Sequence, residues 1–128
     1  MAEQKLTTSQ LIVNNALVAY VPNSLKYSEG FGEYKLQAAA AGPGQSKTVF
    51  SEDAEQKMSK ISFDLYPTAN NITDSRAWKV AQSNNLIQIV DAAGIKRSFS
   101  NATLTNDFEV ELQADGKISL EWMSDPAK

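Results

Sequence analysis

The sequence predicts a mainly β fold: a β-barrel or sandwich of about eight strands with one flanking α-helix at about residues 70–83. Three observations predict it. Most of the chain alternates apolar and polar residues with the period of two that a half-buried strand requires. Turn residues punctuate it at short intervals, from Asn14-Asn15 through Gly42-Pro43-Gly44 to Asp115-Gly116. The period changes to a helical one at a single place, just after Pro67.

The elements follow in order. Residues 1–9 are polar and read as a flexible N-terminal arm. Leu11-Ile12-Val13 and Ala16 to Tyr20 flank Asn14-Asn15, which suits a two-residue hairpin turn because Asn tolerates positive φ. Residues 24–28 set Leu25 and Tyr27 against Lys26 and Ser28; residues 33–39 set Tyr34, Leu36 and Ala38 against Glu33, Lys35 and Gln37. Ala38 to Ser46 is small and Gly-Pro-rich, and reads as an extended loop over 40–46 joining two strands. From Lys60 to Leu65 the alternation is clearest. Ile61, Phe63 and Leu65 are expected in the core, while Lys60, Ser62 and Asp64 face outward. The helix is expected to start at Asn70 or Asn71, with Asp74 near its positive end and a stripe of Ile72, Ala77, Trp78 and Ala81. Strands then follow at 86–91 and 95–100, with a continuation at Thr103-Leu104-Thr105 after a bend at Asn101-Ala102. Phe108, Val110 and Leu112, then Ile118, Leu120 and Trp122 across Asp115-Gly116, complete the expected core with Trp78. No repeat or linker divides the chain, so residues 1–128 read as one domain.

Bulk chemistry narrows the function. Net charge is −3 with scattered basic residues, unlike a surface that grips a nucleic-acid backbone. Cys and His are both absent, which removes thiolate sites, Ser–His and Cys–His pairs and the usual zinc ligands. No apolar segment has the form of a signal peptide or a membrane span, so the protein reads as soluble and made in a cytoplasm. Gly42 to Thr48 lacks the Gly before Lys47 that a phosphate loop needs, and Pro43 removes a backbone donor. Glu109 and Glu111, about 7 Å apart along a strand, read as a solvated face and not as a catalytic pair. Asn71-Ile72-Thr73 and Asn101-Ala102-Thr103 match the glycosylation acceptor but lack a secretion context. The chain is therefore expected not to be an enzyme and to need no cofactor or metal. The aromatics before the helix, Tyr20, Tyr27, Phe31, Tyr34 and Tyr66, are candidates for subunit contacts.

Local phrases and their order then carry a resemblance. Leu11-Ile12-Val13-Asn14-Asn15, Val49-Phe50-Ser51-Glu52-Asp53-Ala54-Glu55, Lys60-Ile61-Ser62-Phe63 and Asn71-Ile72 to Trp78-Lys79 come first. Phe99, Ala102-Thr103-Leu104-Thr105-Asn106-Asp107, Glu109-Val110 and Asp125-Pro126 follow. Over residues 10–127 the chain resembles tail tube proteins of contractile-tailed bacteriophages, which are related in fold to the haemolysin-coregulated proteins of type VI secretion. The resemblance implies a structural virion protein assembled in the bacterial host cytoplasm into the viral tail. Hexameric rings would stack into the hollow tube that conducts the genome. Its partners would be further copies of itself, the tail sheath protein, baseplate and terminator proteins, and double-stranded DNA in transit, with no membrane. A tail terminator or baseplate adaptor of the same fold family is the alternative. On this reading Lys26, Glu33, Lys35, Gln37, Lys60, Ser62 and Asp64 are candidates to face the lumen. Ala40, Ala41, Gly42, Pro43, Gly44, Gln45 and Ser46 are candidates for contact between rings.

Overall fold

The computed structural model describes residues 8–32, 34–42, 45–52 and 57–128; for residues 8–9, 34–42 and 45–52 it is the backbone that is described. The strands are β1 (Thr8–Val13), β2 (Ala16–Leu17), β3 (Lys26–Tyr27), β4 (Tyr34–Gly42), β5 (Gln45–Glu52), β6 (Ser59–Leu65), β7 (Asn85–Asp91), β8 (Lys96–Leu104) and β9 (Ile118–Ser124). One helix, α1 (Ala69–Val80), lies between β6 and β7. The fold is thus mainly β with a single flanking helix, as the periodicity predicts. Of the arm expected over 1–9, residues 1–7 lie outside the described residues, and Thr8 and Ser9 already belong to β1.

Seven strands form one antiparallel sheet in the order β2-β1-β7-β8-β9-β6-β3. Asn14 and Asn15 adopt φ of 52° and 67°, the paired left-handed conformation of a type I′ turn, and so join β1 to β2. The turn is stitched to β7: the Asn14 side-chain oxygen accepts from Leu86 N–H at 2.9 Å, and its amide donates to Asn85 Oδ1 at 2.9 Å. Asp91 Oδ1 closes the β7–β8 turn by accepting from the N–H groups of Ala93 and Ile95, with Gly94 at φ 83°.

β8 changes partner along its length. Its first part pairs with β7, and Thr103 and Leu104 pair with Met123 and Trp122 of β9. Asn101, at φ 53°, sits where the strand bends, as a strand that passes between two sheet layers requires. The bend folds the sheet over on itself. Tyr27 of the edge strand β3 consequently meets Phe99 of the central strand β8 edge to face, at 5.3 Å.

The core fills this fold. Leu11 and Val13 of β1, Ile61, Phe63 and Leu65 of β6, Ile87 and Ile89 of β7, Phe99 and Leu104 of β8, and Ile118, Leu120 and Trp122 of β9 are all buried in one cluster. Trp78 of α1 joins them, its ring 5.8 Å from that of Trp122, and Phe63 stacks on Trp122 at 6.2 Å. Asn85 is buried and its amide donates to the carbonyls of Trp78, Gln82 and Ala102, so it ties the end of α1 to β7 and β8.

Four expectations are corrected. The helix cap is Thr68, not Asn70 or Asn71: Thr68 Oγ1 accepts from Asn71 N–H at 3.2 Å, and Asn71 instead donates its amide to Tyr66 O. Pro67 and the extended Thr68 backbone (φ −95°, ψ 158°) start the helix a residue earlier. Asp74 therefore lies beyond the first turn, and Ser75 and Trp78 form the buried stripe while Ala77 is exposed. Of the loop expected over 40–46, residues 40–42 belong to β4 and residues 45–46 to β5, and Pro43 and Gly44 lie outside the described residues. Residues 108–112 form no strand; a lone Val110–Ile118 bridge remains. Phe108 and Val110 are half-buried against the core, but Leu112 is 82% exposed. The physical cause is a turn: Gly116 N–H donates to Gln113 O, and Gln113 N–H to Glu111 O, so the chain reverses before a ladder forms. The Glu111 carbonyl lies where a Cβ at Gly116 would stand, so only glycine lets the two segments pass.

Candidate assembly surfaces

The outward face of β3-β6-β9 is built by register. Lys26 lies opposite Ser62, and Ser62 opposite Glu121; Lys60 lies opposite Met123, and Asp64 opposite Ser119. Because Ile61, Phe63 and Leu65 point into the core, Lys60, Ser62 and Asp64 must point away from it. Lys26 and Lys60 are exposed, and Ser62 and Asp64 are half-buried. Of the other luminal candidates, Lys35 and Gln37 fall on β4, opposite Ser51 and Val49, and Glu33 lies outside the described residues. The face is concave: a groove of about 510 Å³ is lined by Lys26, Ser28, Lys60, Ser62, Thr105, Glu121 and Met123, among others. Its described charges balance, with Lys26 and Lys60 against Asp64 and Glu121. Tyr27, Ile61 and Trp122 also line the groove, so its wall is largely apolar between polar groups and carries no dominant charge.

The outer edge of β6 is sealed. Lys60 N–H donates to Ser28 Oγ and Lys60 O accepts from Ser28 N–H; Ser62 pairs with Lys26; Asp64 N–H donates to Ser24 Oγ and Asp64 O accepts from Val21 N–H. Residues 21–28 thus satisfy this edge without forming a long strand.

The second surface is the β4–β5 hairpin. Its register runs from Tyr34 opposite Glu52 to Gly42 opposite Gln45. Among the described residues these two strands pair with each other and with no third strand, so each has an unpaired edge. A nine-residue strand spans about 30 Å from the strand rise. Of the expected inter-ring residues, Ala40, Ala41, Gly42, Gln45 and Ser46 form the far end of this hairpin, and Pro43 and Gly44 lie outside the described residues.

The third surface is a knuckle at the root of β4. Gly30 and Gly32 have φ of 87° and 75°, and Phe31 between them is 75% exposed. Phe31 is one of the aromatics that the sequence offers for subunit contacts, and its exposure leaves it free to serve as one. The other aromatics divide. Tyr20 packs against the core, Tyr66 is 49% exposed, and the side chain of Tyr34 is outside the description.

Glu109 and Glu111 lie in an irregular segment and not on a strand face, and among the described residues no three of His, Cys, Asp or Glu converge as metal ligands. Both sequon asparagines use their amides inside the fold, Asn71 to Tyr66 O and Asn101 to Asp125. No helix is long and apolar enough to cross a membrane among the described residues.

Comparison with known proteins gives structural likeness alone. No family model matches the sequence, and no curated protein matches it. A chain in the cryo-EM structure of the anti-feeding prophage cap, the AFP tube-terminating cap, superposes with a TM-score of 0.55 at 15% identity, over 100% of this chain and 92% of that one. A chain in the six-fold symmetrised structure of the anti-feeding prophage baseplate gives 0.51 at 9% identity, over 100% and 93%. At these identities the likeness establishes the fold.

Proposed function

We propose that this protein is a structural, non-enzymatic subunit of a contractile, phage-like tail, closing into six-membered rings that stack as the hollow inner tube. The observation that carries the reading is the whole-chain likeness. Nearly all of both chains superposes, and both neighbours are chains of a tube-terminating cap and a six-fold baseplate. The hairpin supports it. Two unpaired strand edges on one molecule are an aggregation hazard unless a closed ring uses them by strand addition. In that arrangement the concave face bearing Lys26, Lys60, Ser62 and Asp64 lines the lumen, and the far end of the hairpin meets the next ring. A wall without excess positive charge would let a polyanion such as double-stranded DNA pass without binding it. The sheath protein would then surround the tube, with baseplate and terminator proteins at its ends, in a particle assembled in the bacterial host cytoplasm.

A second reading is a terminator or baseplate adaptor that forms one ring and does not polymerise. It is favoured by the cap and baseplate origin of the two neighbours. Negative-stain electron microscopy of the purified protein, concentrated to millimolar range, decides. Long hollow tubes are expected for a tube subunit, and isolated rings for an adaptor. Monomers under every condition, alone and with tail components, would overturn both.

A further inference from the structure

Residues 125–128 are held by the body at every step. Asp125 N–H donates to Ser100 O at 3.0 Å. Its carboxylate accepts from Asn101 Nδ2 at 2.7 Å and from Ser100 Oγ at 3.3 Å, at the bend of β8. Ala127 N–H is shared between Glu29 O at 3.2 Å and Ser59 Oγ at 3.1 Å. Lys128 and Ser98 exchange backbone hydrogen bonds of 3.0 and 2.9 Å. Pro126 covers Gly30 so closely that a Cβ there would lie 2.9 Å from Pro126 Cα and 2.9 Å from Ser59 Oγ. Arg97 adds a loose ion pair to Glu29 at 3.6 Å.

Asp125 and Lys128 anchor the segment to β8 at its two ends, and between them Pro126 and Ala127 fall on Glu29 and Gly30. Ala127 holds Glu29, and Pro126 and Ser59 of β6 close over Gly30. Phe31, the next residue, is exposed, and β4 begins at Tyr34. The hairpin leaves the body from a fixed point.

We infer that residues 125–128 act as a strap that locks the Glu29–Gly30 root and so sets the direction in which Phe31 and the β4–β5 hairpin meet a second copy of the chain. The partner in this inference rests on the ring-forming reading above. The strap contributes by preorganisation: a hairpin already aimed loses less freedom when it docks. Phe31 is the aromatic anchor that the locked root presents.

The chain has no Cys, so spin labels at Phe31→Cys and Asp107→Cys report the root against the body without interference. Three strap variants are compared with the parent. Gly30→Ala acts at the root, Asp125→Ala acts remotely at the β8 bend, and Ser59→Ala removes one of the two acceptors of Ala127 N–H. Circular dichroism identifies which of them fold. Pulsed dipolar measurement on unassembled protein should show a narrow distance distribution in the parent and at least a twofold broadening in every folded strap variant. An equally narrow distribution in a folded Asp125→Ala or Ser59→Ala chain overturns the strap. In electron microscopy, the same variants without labels should yield at least tenfold fewer assemblies than the parent at equal concentration. Unchanged assembly from a chain whose root has broadened would show that the strap does not serve docking. A parent that never assembles sinks the ring reading, while the distance measurement still decides whether the strap sets the root.

Discussion

In the body, the outer edge of β6 is satisfied at Lys60, Ser62 and Asp64 by residues 21–28. In the hairpin, β4 and β5 satisfy each other and leave both outer edges unpaired among the described residues. One chain therefore covers the β6 edge of one sheet and leaves both edges of the other unpaired among the described residues. The body draws its stability from an apolar cluster built of residues distant in sequence. A two-stranded hairpin alone is at best marginally stable in water, so the hairpin needs a neighbour to become as firm as the body. The two regions should consequently answer mutation differently, one in stability and the other in assembly.

The largest effect belongs to the body. Trp122→Ala removes a fully buried side chain that packs on both Phe63 and Trp78, and should cost about 3–5 kcal/mol of unfolding free energy, measured by urea unfolding followed by circular dichroism. Asn85→Ala leaves the carbonyls of Trp78 and Ala102 without their buried donor; about 2–3 kcal/mol is expected by the same measurement. Thr68→Ala removes the cap of α1 and should cost about 1 kcal/mol. A Thr68→Ser chain should recover most of it. The smallest effect on the body sharpens the contrast most. Val49→Pro, opposite Gln37 in the hairpin ladder, should leave the body's stability within about 0.5 kcal/mol yet abolish rings and tubes in micrographs. If it unfolds the body instead, the separation of roles drawn here fails.

What the sequence made legible was local. The β6 alternation, the Asn14-Asn15 turn and the bend at Asn101 are each set by neighbours within a few residues, and each appears where expected. Trp78 and Trp122 were placed correctly because a large aromatic on an apolar stripe has few other places to go. The hairpin tip was misread because Ala and Gly carry no alternation, so a strand made of them looks like a loop. Leu112 was misplaced because what expels it is a close approach between Gly116 and the Glu111 carbonyl, a steric fact that periodicity does not encode. Thr68 was overlooked beside two asparagines that are equally good caps by composition; Pro67 decided between them. The polar face of β6 is legible in its alternation, while the hold on residues 125–128 is not. That hold comes largely from backbone groups, and those have no signature in residue types.

The pairing of β6 with β9 has a consequence for synthesis. Leu65 waits for Ile118, and Ser59 for Ser124, whereas β4 needs only β5, which follows it directly in the chain. Short-range contacts form faster than distant ones. The nascent chain would thus display its sticky hairpin well before it owns a finished body, and on a polysome many such hairpins hang side by side. Premature joining between unfinished chains is the hazard this order creates. The lysines and glutamate along it, Lys35, Lys47 and Glu52, are the kind of residues that slow such joining until the last strand arrives.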